Sequence, residues 1–391
     1  MNRRAFLQST LAAAALDVFG GPAASVAFAA APSGAQYGKL LVLIELKGGN
    51  DGLNTLVPYT DPAYYALRPK LAIARDSVVQ LSDRVGLHPG LAPLDKLWRA
   101  RRLAVLQGVG YPEPNLSHFR SIEIWDTASK SDEYLQDGWL TRTFATVPTP
   151  RAFAADGVII GTNDLGPLAG GGTRAVALAN TEQFLHRARL AAPAGQAGNP
   201  ALLHILKVEA DIVQAAAHLD TRYTFKTEFP PGAFGNAIRT ACQVLANPAG
   251  VAVVRVTLSG FDTHGGQAAT QARLLGELAQ GTVALASALD ELGLWNDTLV
   301  LTYAEFGRRP KENLSNGTDH GTANVHFALG GRVAGGFYGE QPSLERLGGD
   351  GNMGYAIDFR GVYATVLERW WGVPSAGVLG GKYPPVDFLI A

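Results

Sequence analysis

Four apolar, strand-like runs in this chain each break into a short polar cluster at their carboxyl-terminal end. The run 39–46 ends in Gly48-Gly49-Asn50-Asp51-Gly52, and the run 103–109 leads to Asn115-Leu116-Ser117-His118. The run 251–258 leads to Phe261-Asp262-Thr263-His264-Gly265, and Thr298–Tyr303 leads to Glu305-Phe306-Gly307-Arg308. Unbroken Val/Ile/Leu runs are the pattern of strands buried on both faces, as in parallel sheets. In open α/β sheets, ligands bind just beyond the carboxyl ends of such strands. Four strand ends rich in Asp, Glu, His and Ser therefore predict one shared site. Metal-assisted hydrolysis is the chemistry those residue types support best.

The stretches between these runs read as helices. Leu91, Leu94 and Trp98 lie at helical spacing over 91–98, and Ser117 stands as an N-cap before Phe119, Ile122, Ile124 and Trp125. Segments 202–225 and 234–245 read as helices, as does 267–292 with its Leu274, Leu278, Leu285, Leu289 and Leu292. A fifth strand is expected at 325–329 and a closing helix over 355–371. The Gly/Pro/Ala-rich stretch 148–200 gives no readable pattern beyond a loop at Gly170-Gly171-Gly172. Alternating strands and helices predict an α/β fold, a doubly wound, mostly parallel sheet with helices on both faces.

With 33 Lys and Arg against 34 Asp and Glu, the net charge is −1, which speaks against nucleic acid or an anionic membrane as partner. Cys242 is the single cysteine, so an intrachain disulfide and a multi-cysteine metal site are excluded. Metal ligands are then His and carboxylate. The N-terminus, Asn2-Arg3-Arg4-Ala5-Phe6-Leu7-Gln8, resembles a twin-arginine export signal, followed by an Ala/Leu-rich run and an A-x-A cleavage site at Ala27-Phe28-Ala29. A signal peptide over 1–29 and one domain over 38–391 are expected, exported folded by the twin-arginine machinery to the periplasm or beyond. The apolar leader is too short and too broken by Gly and Pro to span a bilayer, so no transmembrane anchor is expected after cleavage.

Asp262 and His264 stand two apart, and on an extended backbone both point the same way and can bind one ion; a plain turn is the alternative. A neutral imidazole and a carboxylate suit zinc or manganese. Asp319-His320 sits in a polar loop, Gly317 to Thr322, that leads into the strand at Val325. Asp51 follows two glycines, where the backbone can crowd a ligand and the carboxylate can take a cation, or where Asn50-Asp51-Gly52 merely turns. Ser117 at a helix start meets the helix dipole and free N–H groups, a good place for a nucleophile facing an anionic ester. Glu305 and Arg308 serve as ligand and anion clamp, or form a buried ion pair. His118, beside Ser117, is a candidate for proton transfer. His88 and His326 stay ambiguous, whereas His186, His204 and His218 read as surface residues. The chain carries neither G-x-G-x-x-G nor G-x-S-x-G, so a dinucleotide site and a serine-hydrolase elbow are not supported.

Five motifs in order carry a resemblance: 46–54 (Leu46 to Asn54), Asn115-Leu116-Ser117-His118-Phe119, Phe261-Asp262-Thr263-His264-Gly265-Gly266, Glu305-Phe306-Gly307-Arg308 and Thr318-Asp319-His320-Gly321. Over essentially the whole chain from Gly38, they resemble an exported bacterial family known only as domain of unknown function 1501, itself similar to the alkaline phosphatase and sulfatase superfamily. That resemblance implies one or two divalent ions at the carboxyl ends of a parallel sheet and a serine nucleophile, Ser117. It implies Asp51, Asp262, His264, Glu305 and His320 as metal ligands, and Asn50, Asn54, His118, Arg308 and Asp319 as substrate contacts. Where the superfamily has Asp-His, this chain has Glu305-Phe306, and Phe cannot bind a metal. The Asp-x-His spacing of Asp262 and His264 is tighter than the usual Asp-x-x-x-His, and Asp319 is a candidate to replace the missing ligand. The expected function is an exported metal-dependent hydrolase of phosphate or sulfate esters. The alternatives are a non-catalytic exported metal- or ligand-binding protein on the same scaffold and a partner subunit for another exported protein.

Overall fold

The computed structural model describes residues 35–178 and 223–390. The leader 1–29, most of the helix expected over 202–225, and His186, His204 and His218 lie outside the described residues.

The apolar runs form the centre of a nine-stranded sheet. In chain order its strands are β1 (Leu40–Lys47), β2 (Leu103–Gly110), β3 (Ala155–Ile160), β4 (Ala175–Leu178), β5 (Val251–Ser259), β6 (Thr298–Tyr303), β7 (Asn324–Leu329), β8 (Gly336–Gly339) and β9 (Ile357–Asp358). Their spatial order is β8-β2-β7-β6-β1-β5-β3-β4, with β9 also paired to β2. β1 lies between β5 and β6, parallel to both. Only β7 runs against its neighbours, β2 and β6. The carboxyl ends of β1, β2, β5 and β6 therefore share one rim, and the amino end of β7 meets them there.

Side chains alternate across a strand, so β1 feeds two cores. Leu40, Val42, Ile44 and Leu46 face α4 (Ala233–Leu245) and the 25-residue α5 (Gln267–Glu291). Leu41 and Leu43 face α2 (His118–Thr127), α3 (Trp139–Thr146) and α6 (Phe359–Ala364). Fully burying each Leu or Ile contributes about 1.5–3 kcal/mol, which favours the apolar run at the sheet's middle, and its one polar break, the buried Glu45, is paired with Arg255 of β5 at 2.8 Å. The sheet is thus wound on both faces, as the alternation of elements predicts.

Local details correct or complete the expectations. The strand expected at 325–329 forms and runs antiparallel, because it returns from the hairpin at the rim and not through a crossover helix. The helix of 91–98 begins as a 3-10 turn, Pro89–Leu94, since Pro93 has no N–H to donate, and becomes α-helical only at Asp95–Arg99. The closing helix starts at Phe359, where Asp358 caps it, and its last part, Thr365–Trp371, winds as a π-helix. The stretch 148–200 holds β3 and β4, whose short apolar runs were hidden among Gly and Pro. Among the described residues, no helix is long and apolar enough to cross a membrane.

Candidate metal centre at the carboxyl rim

The rim brings His118, Asp262, His264 and His320 together. His118 opens α2, and Asp262 and His264 follow β5. His320 lies in a two-stranded ribbon, where His320–Gly321 pairs with Gly307–Arg308. Nε2 of His264 and of His320 lie 3.1 and 3.3 Å from Asp262 Oδ1, and Nε2 of His118 lies 3.3 Å from Oδ2. One ligand atom each from His118, Asp262 and His320 falls within 4.8 Å of the other two, a spacing that can hold a metal ion.

Each imidazole is held from behind through Nδ1. Glu305 Oε1 lies 2.8 Å from His118 Nδ1, Asp319 Oδ1 lies 3.2 Å from His264 Nδ1, and the Leu116 carbonyl lies 2.7 Å from His320 Nδ1. All three partners accept, so in the neutral rings each Nδ1 carries the proton and each Nε2 presents a lone pair. Nε2 of His264 and Nε2 of His320 face each other at 2.9 Å. Two lone pairs and a carboxylate converging so closely need a cation or a shared proton between them. A carboxylate or carbonyl behind a ligating histidine is the usual way to orient it.

The electrostatics differ from ring to ring. The hydrogen bond that His118 donates to Glu305 is the strongest influence on it and holds its pKa above the ordinary value, against desolvation, so a bound cation at Nε2 competes with a proton there. Burial is the strongest influence on His320 and pulls its pKa down, favouring the neutral, ligating form. Desolvation pushes Asp262 up, but the Arg308 hydrogen bond and charge, with His118 and His320, outweigh it and pull its pKa down to about 2. The Asn313 hydrogen bond chiefly lowers Asp319.

Several residues play other parts than expected. Asp51 is buried, and its carboxylate is taken by Arg68 at 2.6 Å, by Gln267 and by the N–H groups of Leu53 and Asn54. It caps the short helix α1 (Gly52–Thr55) and is no part of the histidine cluster. Glu305 is buried behind His118 and accepts the Gly48 N–H at 3.0 Å, so it positions an imidazole and does not pair with Arg308. Arg308 is 1% exposed and is no anion clamp. Its guanidinium donates to the carbonyls of Gly48, Gly49, Phe261 and Thr318 and to Asp262 Oδ1 at 2.7 Å. Asn50 accepts from Thr55 and Gln271, and Asn54 holds Leu71, Tyr64 and Arg68, so both are interior braces and not substrate contacts. Asp319 orients His264 in place of ligating. The two glycines are crowded by protein: a Cβ on Gly48 would lie 2.4 Å from the Asp262 nitrogen, and one on Gly49 would lie 2.3 Å from the Phe306 ring. Both have positive φ, which only glycine adopts without strain.

Phe306 forms an apolar floor, its ring centroid 4.8 Å from that of His118 and 4.4 Å from that of His320. Ser117 occupies the N-cap position of α2 without its side chain capping the helix. It is exposed, and its hydroxyl makes no hydrogen bond among the described residues. It stands between Leu116, whose carbonyl holds His320, and His118. Sequence reasoning missed Arg68 and Gln267, for which no local signal exists. His88 is buried and accepts the Gly90 N–H, and His326 is buried with neither nitrogen hydrogen-bonded among the described residues, so neither joins the site.

The profile of the family described as "Protein of unknown function (DUF1501)" matches residues 104–373. No curated protein matches the chain. Among solved structures, the chain is similar to the PsFucS1 sulfatase from Pseudoalteromonas sp. at 12% identity, covering 90% of this chain and 72% of that one with a TM-score of 0.40. It is similar to the phosphonate monoester hydrolase of Agrobacterium radiobacter at 11% identity, covering 88% and 78%, TM-score 0.39. It is similar to the lipoteichoic acid synthase LtaP from Listeria monocytogenes at 10% identity, covering 77% and 67%, TM-score 0.37.

Proposed function

The chain belongs to the DUF1501 family of proteins of unknown function, and from that premise we propose that it is a divalent-metal-dependent hydrolase of phosphate or sulfate esters with Ser117 as nucleophile. The observation that carries this reading is the facing pair of Nε2 atoms of His264 and His320, 2.9 Å apart over Asp262, with each Nδ1 already committed to an acceptor. His118, Asp262 and His320 would hold the ion, with His264 beside them, and this N/O donor set suits zinc or manganese. Bound there, the ion supplies Lewis-acid polarisation of an ester oxygen. The carboxylate of Asp51 is already neutralised by Arg68, so one ion is expected and not two.

The chain's own groups do the rest. Glu305, Asp319 and the Leu116 carbonyl keep the three rings oriented, and Phe306 excludes water from beneath His118 and His320. Ser117 Oγ gives up its proton and forms a bond to phosphorus or sulfur as the bridging ester oxygen leaves with its electron pair and takes up a proton. Water then bonds to the same phosphorus or sulfur as the bond to Oγ breaks, and a proton from that water returns to Oγ with release of phosphate or sulfate. The amino end of α2, ten residues long, favours the anionic group through its dipole and free N–H groups. We place this activity outside the cytoplasm, after folded export directed by the twin-arginine leader. Changing Arg3 and Arg4 to Lys is expected to leave the protein in the cytoplasmic fraction.

Elemental analysis of the purified mature protein is expected to give about one zinc or manganese per chain. Ser117→Ala is expected to cut turnover on an active phospho- or sulfo-ester by at least about 10³-fold. A full complement of metal with no turnover on a broad ester panel would favour the non-catalytic binding protein instead.

A further inference from the structure

Beside the candidate centre runs a cleft of about 400 Å³, walled by the segment 111–114 on one side and 346–355 on the other, with Thr322 between them. Both walls are tied to the site. Tyr111 Oη accepts the Asn115 N–H at 3.1 Å, and Asn115 Oδ1 accepts the Ser117 N–H at 2.9 Å. Thr322, two residues beyond His320, donates its hydroxyl to the Met353 carbonyl. Its walls are thus joined to the chain within two residues of His320, through Thr322, and through Asn115 to Ser117.

Its lining has a distinct chemistry. Tyr355 is 45% exposed and offers an open aromatic face, and Pro112 and Pro114 add rigid apolar surface. Asn352 is 3% exposed, and its Oδ1 has no hydrogen-bond donor among the described residues. Its Nδ2 donates to Asp350 Oδ2 at 2.7 Å, and a carboxylate only accepts, so the amide orientation is set and Oδ1 is the unmet acceptor. An unmet buried acceptor costs about 1–3 kcal/mol, and a hydroxyl from a ligand or a water is what would satisfy it. Arg346 and Asp350 supply a donor and an acceptor at the mouth. An alkyl chain or a bare aryl ring would leave these polar groups idle.

We propose that this cleft is the leaving-group subsite and that the departing alcohol is a glycosyl unit, with a ring face on Tyr355 and hydroxyls on Asn352, Arg346 and Asp350. This rests on the hydrolase reading of the neighbouring centre. Binding is therefore measured apart from turnover, by calorimetry on metal-loaded Ser117→Ala protein with glucose 6-phosphate, octyl phosphate, phenyl phosphate and inorganic phosphate. Glucose 6-phosphate is expected to bind at least about tenfold tighter than inorganic phosphate, and Tyr355→Ala to remove most of that margin while leaving inorganic phosphate unchanged. Arg346→Ala, at an exposed position, is expected to act in the same direction and more weakly. Octyl or phenyl phosphate binding tighter than the sugar ester, or a margin untouched by Tyr355→Ala, overturns the assignment. Should the sugar margin appear and vanish as expected while the Ser117 protein hydrolyses no ester, the cleft stands and the hydrolase reading falls.

Discussion

Asp51 and Asp262 stand just past the ends of neighbouring parallel strands, yet one is sealed and the other open. Asp51 is 1% exposed, whereas the side chain of Asp262 is 48% exposed. Around Asp51 the cation is built in. The Arg68 guanidinium donates to five oxygens: both of Asp51, Asn54 Oδ1, and the carbonyls of Arg309 and Pro310. Around Asp262, Arg308 supplies one contact, and three imidazole nitrogens leave the rest of the carboxylate facing an unfilled need for positive charge. A tethered guanidinium closes a carboxylate permanently, whereas imidazoles facing it keep the place for an exchangeable cation. Gln267 joins the two regions, donating to Asp51 while its carbonyl accepts from Thr263 and Thr318 beside Asp262 and Asp319.

The largest effect is expected on the sealed side. Arg68→Met leaves a buried carboxylate uncompensated and should cost about 3–5 kcal/mol of stability in urea denaturation. A loss below about 1 kcal/mol would mean that Asp51 is not sealed by charge pairing. On the open side, Glu305→Gln removes the charge behind His118 and should weaken metal binding about 10–100-fold in a chelator competition, with little change in unfolding. Unchanged affinity would detach Glu305 from the centre.

The same contrast holds among the histidines. Burial pulls the pKa of His326 down to about 3 and that of His88 down to about 4, so both are neutral in the fold. Unfolded, they protonate near about 6.5. Their contribution is whole above that value and is lost as pH falls through it toward 4 and 3, at up to about 1.4 kcal/mol per pH unit per site. Asp126, raised above its ordinary value by burial, acts in the opposite sense, because the folded state holds its proton more tightly. Replacing His326 with Phe should flatten the acid side of a stability-against-pH curve, and an unchanged slope between pH 6.5 and 4 would count against burial as the cause. The smallest effect is expected from Asp262→Asn, which keeps an acceptor for Arg308: under about 1 kcal/mol of stability, together with loss of the bound ion in elemental analysis.

The placement of Asp262 and His264 on the rim was legible, since the largely apolar run 251–258, interrupted by Arg255 and Thr257, marks a buried parallel strand, whereas His320 reaches the rim through the ribbon that precedes β7. His118 was harder, because a histidine at a helix start looks the same whether it ligates or faces solvent. β3 and β4 were lost among Gly and Pro, where short strands have no period to show. The antiparallel return of β7 was hidden as well, because a strand's direction is set by the connection before it and leaves no mark on its own residues.

Hydrophobic pattern and strand parity, both local properties, sufficed to determine the wound sheet, its two cores and the polar rim. Which cation each carboxylate receives was decided only by tertiary structure. Arg68 reaches Asp51 across 17 residues, and Arg308 reaches Asp262 across 46. Charge pairing depends on separations of a few ångströms in a low-dielectric interior, and no spacing along the chain encodes them.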